Sequence, residues 1–145
     1  MSFVSQNSPR TQLDATKQST VALPIISATV NTVPIDLEAV NTGPALDQVC
    51  LLGNFGAANA NSGNAAVISL QLMHSDTNVG ANFVNVPGTG PINIASNGAT
   101  YPANSNIEFA KPSFGVKRFV QVQLTQGAGG ANSANAANFT FSLGF

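Results

Sequence analysis

The sequence predicts an all-β fold, an antiparallel sandwich or barrel of about eight strands preceded by an extended N-terminal arm. Three observations point there. Apolar residues recur with a period of two in short runs from about Ile25 onward. Clusters of Gly, Pro and Asn punctuate those runs every 8–12 residues or so, roughly the spacing of an all-β domain. No stretch sustains the period of an amphipathic helix. The 145 residues suit one domain plus an arm. We place the arm at residues 1–22 and the β-domain at residues 23–145.

The arm, MSFVSQNSPRTQLDATKQST and two residues more, has only scattered apolar side chains. Ser8-Pro9 has the form of a helix start, but no apolar face follows it. At full extension twenty residues reach roughly 65 Å, at about 3.3 Å each, further than the diameter of the domain. Phe3, Val4 and Leu13 are the sizeable apolar residues available as anchors.

The first strand expected is Thr32–Glu38, with Val33, Ile35 and Leu37 on one face and Asp36 and Glu38 on the other. Asn41-Thr42-Gly43-Pro44 breaks it. Gln48–Gly53 is apolar on both faces through Val49, Cys50, Leu51 and Leu52, and reads as doubly buried. Phe55–Asn64, rich in Gly, Ala and Asn, reads as a loop. Ala66–His74 is long and free of Gly and Pro, which places it in mid-sheet, with Ile68, Leu70, Leu72 and His74 sharing a face.

Phe83–Val86 is short, and Pro87-Gly88-Thr89-Gly90-Pro91 stops it. Ile92 and Ile94 begin another strand, and Asn97-Gly98 is the favoured dipeptide of a tight hairpin. Ile107–Ala110 puts Ile107 and Phe109 on one face. In Lys117–Thr125, Val120, Val122 and Leu124 point inward. After a Gly/Ala/Asn loop at Gly127–Asn138, Phe139, Phe141, Leu143 and Phe145 line one face of the last strand. Eight strands in two packed sheets is the number a jelly roll has.

Composition narrows the function classes. One Cys excludes an internal disulfide and a Cys-rich zinc site, and one His excludes a multi-His metal centre. A net charge of −1 with five Lys and Arg argues against nucleic acid, whose phosphates need clustered cations. No apolar run approaches the length of a membrane-spanning helix, and the N-terminus lacks a basic-then-apolar leader. Charged residues make up 8% of the chain, against about 25% in an ordinary globular protein. Seventeen Asn, with Ser, Thr, Gly and Ala, give a surface that is polar but neutral. Such a surface favours association.

The candidate catalytic groupings are few. His74-Ser75-Asp76 contains the residue types of a triad, but neighbours on one strand point to opposite faces, so His74 reads as a histidine at the edge of the core. Asp36 and Glu38 share a strand face and read as solvated. Gly127-Ala128-Gly129-Gly130 lacks the Lys-Ser/Thr of a phosphate loop. Cys50 reads as a buried, inert thiol, and the sequon Asn138-Phe139-Thr140 as chance. Lys117-Arg118 reads as a charged guard beside a strand, with a salt bridge to a partner as the sharper alternative. No catalytic constellation emerges, and the chain is expected to be neither an enzyme nor a cofactor or metal binder.

The order of the pieces suggests a family. An alternating strand ending in Ile35-Asp36-Leu37 precedes a doubly apolar strand. Val67-Ile68-Ser69-Leu70-Gln71-Leu72 then leads through Ser75-Asp76 to Phe83, and Arg118-Phe119-Val120-Gln121-Val122-Gln123-Leu124 precedes a Gly/Ala loop and a closing apolar strand. Over residues 32–145 this resembles the small jelly-roll capsid cement (decoration) proteins of short-tailed bacteriophages. The resemblance implies an eight-stranded antiparallel jelly roll, made in the host cytoplasm, that binds the outside of an assembled capsid. It implies the major capsid protein as partner, self-association (most often as a dimer), and no nucleic acid, membrane or cofactor. The residues then expected to meet a partner are Phe3, Val4 and Leu13 of the arm, with Lys117 and Arg118. The rival reading is a carbohydrate- or receptor-binding sandwich of a virion fibre or surface protein. Neutral Asn, Thr and Gln loops suit sugar hydroxyls, with Tyr101, Phe55 and Phe114 as candidate stacking platforms.

Overall fold

A computed structural model describes residues 13–24, 27–37, 50–55, 60–61, 68–94, 100–101, 106–109, 116–127 and 138–144. The positions of Phe3, Val4, Glu38, Asn97-Gly98 and Phe114 lie outside the described residues. In chain order the strands are β1 (Leu13–Ala22), β2 (Thr29–Asn31), β3 (Ile35–Asp36), β4 (Cys50–Phe55), β5 (Ala60–Asn61), β6 (Ile68–Ser75), β7 (Val84–Asn85), β8 (Ile92–Ile94), β9 (Thr100–Tyr101), β10 (Asn106–Glu108), β11 (Phe119–Gln126) and β12 (Asn138–Gly144). The one helical element among the described residues is a 3₁₀ turn at Gly80–Asn82. The fold is all-β, and every pairing found is antiparallel.

Ten strands form two main sheets, where about eight strands were expected. The first sheet runs β1-β12-β4-β10. The second has β11 and β6 at its centre, with β2 and β3 both on the outer edge of β11 and β7 and β8 both on the outer edge of β6. A two-residue ladder joins β5 to β9 apart from them.

The extra strands have a physical origin. Between β2 and β3 the register against β11 steps from Asn31 opposite Gln123 to Ile35 opposite Val120. One more residue is spent on the outer chain than on β11, which is a β-bulge, and it falls at Pro34, whose missing N–H cannot join a ladder. Between β7 and β8 the chain loops out through Pro87-Gly88-Thr89-Gly90-Pro91 and returns to the same edge of β6.

One hydrophobic cluster fills the space between the sheets. Phe55, Phe139 and Phe141 from the first sheet and Ile68, Leu70, Leu72, Val120, Val122 and Leu124 from the second have no exposed surface. Each such side chain contributes about 1.5–3 kcal/mol by leaving water. Phe55 and Phe139 meet at a tilt with centroids 5.3 Å apart, and Phe109 meets Phe141 edge-on at 5.9 Å. The inward sets expected on β6, β10, β11 and at Phe139 and Phe141 are all found here.

Three expectations need correction. Residues 13–22, assigned to a free arm, form β1, paired with β12 from Ala22 opposite Asn138 to Gln18 opposite Ser142 and, past a register shift, at Leu13 opposite Gly144. The segment alternates too weakly in hydrophobicity to announce a strand, because it is an edge strand with one partner. Val33, expected inside, is 69% exposed. The bulge reverses the facing of the chain there, so Thr32 turns inward in its place. The Thr32 hydroxyl is satisfied by accepting the Val122 N–H at 2.9 Å. Finally, Phe55 belongs to β4 and the core, not to a loop. Gly53 ahead of it does not end the strand; a Cβ there would come within 2.6 Å of the Phe139 ring, so the glycine makes room for it.

Candidate functional site

Among the described residues, Asp36, His74, Asp76, Lys117 and Arg118 gather at one end of the second sheet, where β6 finishes and β11 starts. Asp36 of β3 lies opposite Phe119 of β11, which in turn lies opposite Ser75 of β6. This register brings Arg118, just before β11, alongside Asp36. The guanidinium grips the carboxylate with two parallel bonds, Nε to Oδ1 and Nη2 to Oδ2, both 2.8 Å. The same guanidinium lies 5.0 Å from the centre of the Phe119 ring. From the first sheet, Lys17 Nζ donates to the Asp36 carbonyl oxygen at 2.7 Å. Two residues on, Ser19 Oγ accepts the Val33 N–H at 2.7 Å. β1 thus ties the edge of one sheet to the edge of the other.

Lys117 pairs with Asp76 at 3.1 Å, both side chains being well exposed. Its backbone N–H donates to Nδ1 of His74 at 3.1 Å. His74 lies on the inward face of β6 and is 9% exposed. Because Nδ1 accepts, the ring is neutral and carries its proton on Nε2. Burial pushes its pKa below the ordinary 6.5, the Lys117 ammonium pushes the same way, and Asp76 pulls back. As expected, the histidine is a core-edge residue satisfied by the backbone.

The three residues of His74-Ser75-Asp76 spend their hydrogen bonds in different directions. His74 faces the Lys117 amide, Ser75 Oγ accepts the Thr77 N–H at 3.1 Å, and Asp76 faces the Lys117 ammonium. They make no proton relay. Asp36 holds Arg118 instead of a second carboxylate. Among the described residues no group of three or more His, Cys, Asp and Glu side chains converges.

The outer faces carry something the sequence reading missed. On the first sheet Thr20, Thr140, Asn54 and Asn106 align in one row across all four strands. Thr20 and Thr140 share a hydroxyl bond of 2.7 Å, and Asn54 Nδ2 donates to Asn106 Oδ1 at 2.8 Å. On the second, Thr29, Thr125, Ser69 and Asn93 align likewise, with Thr29 to Thr125 at 3.2 Å and Ser69 Oγ donating to Asn93 Oδ1 at 2.8 Å. Both rows are neutral. Only strand register brings them together, and register is invisible to periodicity.

Of the residues expected to meet a partner, Leu13 starts β1 and Phe3 and Val4 lie outside the described residues. Lys117 and Arg118 are engaged within the chain by Asp76 and Asp36. Phe55 is fully buried and cannot act as a sugar platform; Tyr101 stands in the small β9 ladder. No helix among the described residues is long and apolar enough to cross a membrane. Compared with family models and with curated proteins, the chain matches none.

Proposed function

We propose that this chain is a non-catalytic structural protein of a bacteriophage head, a jelly-roll sandwich that binds the outside of the capsid and cements neighbouring major-capsid subunits. The fold half of this reading is supported by the pairing order. β2 with β3, and β7 with β8, each lie on one edge and count as single interrupted strands. The two main sheets then hold eight strands, ordered 1-8-3-6 and 2-7-4-5 along the chain. Successive strands alternate between the sheets except at the fourth and fifth, an order that supports the jelly-roll reading.

The surface chemistry supports the same reading. Cementing needs area and repetition, not reactive groups, and many weak copies gain strength through effective concentration. The neutral polar rows offer hydrogen bonds without charge to desolvate, and the cations Lys117 and Arg118 are already matched inside the chain. In this reading the chain self-associates, as a dimer, and Phe3, Val4 and Leu13 contribute contacts to a neighbouring subunit.

The test uses the particle itself. Heads of the phage that encodes the chain are stripped of it, and purified chain is added back. The expected outcome is saturable co-sedimentation and recovery of the temperature at which full heads release DNA. Absence of binding to expanded heads overturns the reading, and specific binding on a glycan array with no binding to heads moves the function to carbohydrate recognition.

A further inference from the structure

We propose that His74 is a pH-operated latch: its bare Nδ1 holds the start of β11 to the end of β6, and a proton on that nitrogen releases residues 116–118. The latch bond joins residues 43 apart in sequence, the Lys117 N–H donating to Nδ1 at 3.1 Å. It sits just outside the ladder, since pairing of β11 with β6 begins at Phe119 opposite Ser75. Behind it, Val116 is 4% exposed, so this short segment is seated on the core.

Protonation changes both partners of the bond. Nδ1 becomes a donor facing another donor, and the Lys117 amide is left without its acceptor in a part-buried place. The new imidazolium also stands beside the Lys117 ammonium. From the turn after β6, Asp76 attracts it, but Asp76 already pairs with Lys117 and is 69% exposed, where water weakens the pull. On the flanking strands, Val120 of β11 and Val84 of β7 lie opposite His74 and do not titrate. Arg118 and Asp36 close a pair of no net charge one position further on.

The sign follows from burial and from Lys117, both of which favour the neutral ring in the folded chain. The closed latch is therefore complete above the ordinary pKa of about 6.5 and weakens as pH falls towards the lower folded value. Over that window the released fraction rises with each step down in pH, with about tenfold per pH unit as the ceiling for a single proton. Residues 116–118 carry Lys117 and Arg118, so acid loosens the segment that presents this basic pair. The inference concerns the isolated chain and does not depend on capsid binding.

Amide exchange at Lys117, corrected for intrinsic rate and followed from pH 7 to pH 5, tests it. Protection at Lys117 should fall as pH drops through the titration window, by up to about tenfold per pH unit, and by more than at Val122 in the middle of β11. His74→Gln keeps an acceptor that does not titrate, so that dependence should vanish. Should the variant not fold, nitrogen NMR of the native imidazole decides: Nδ1 is expected bare at pH 7, with a pKa below 6.5. Flat Lys117 protection across the range, a proton on Nδ1 at pH 7, or a pKa at or above the ordinary value overturns the latch.

Discussion

Gly53 sits in β4 with the Phe139 ring against the place where a side chain would start, at 2.6 Å. The ring is itself fixed by Phe55, tilted against it at 5.3 Å, and has no exposed surface to move into. Gly53→Ala should therefore act as overpacking and cost about 1–3 kcal/mol. Urea unfolding checks it, and an unchanged midpoint would show that the sheet yields without strain. The sequence could name Gly53 as a strand-ender but not as a seat for a ring, because the seat is made by a residue 86 positions away. His74 was legible for the opposite reason. Its facing is set by its own strand, where Ile68, Leu70 and Leu72 already fix the inward side.

At the scale of elements, legibility was greatest in strands with a neighbour on each side and a plain alternation; β4, flanked by β12 and β10 but apolar on both faces, was misread at Gly53 and Phe55. β6, β11 and β12 each have neighbours on both sides, and their inward residues alternate as the sequence predicted. β1 has one neighbour in its sheet, and its LDATKQSTVA shows little alternation because half of its environment is not core. Its contribution is nonetheless specific. Besides six register positions with β12, it supplies Lys17 to the Asp36 carbonyl and Ser19 to the Val33 amide, closing one edge of the sandwich. A chain lacking residues 1–22 should lose these bonds and expose one flank of β12, with a fall in melting temperature of several degrees or failure to fold. A chain lacking residues 1–12 keeps every β1 position that pairs with β12 and should melt as the full chain does. Equal melting of all three chains would return β1 to the arm. Val33 shows the other limit of reading elements from sequence: alternation was followed through Pro34, and the bulge there reversed it.

For the whole molecule, the scarcity of charge sets how it should respond to salt. Charged residues are 8% of the chain, and its ion pairs include Arg118 with Asp36 and Lys117 with Asp76, both solvent-accessible. Pairs of this kind contribute about 0–1 kcal/mol each. The outer faces carry rows such as Thr20, Thr140, Asn54 and Asn106, which have dipoles but no net charge. Raising ionic strength from 0.1 M to 1 M shortens the screening length from about 10 Å to about 3 Å, which dismantles contacts between exposed charges and leaves neutral ones intact. If the chain cements capsid subunits through those rows, the amount bound to stripped heads should change by less than about twofold over that range, since nearly all the contact energy is insensitive to screening. A tenfold or greater loss would mean that the contact is ionic. Lys117 and Arg118 would then have to leave Asp76 and Asp36 for acidic groups on the capsid, and Arg118→Gln should reproduce the loss at low salt.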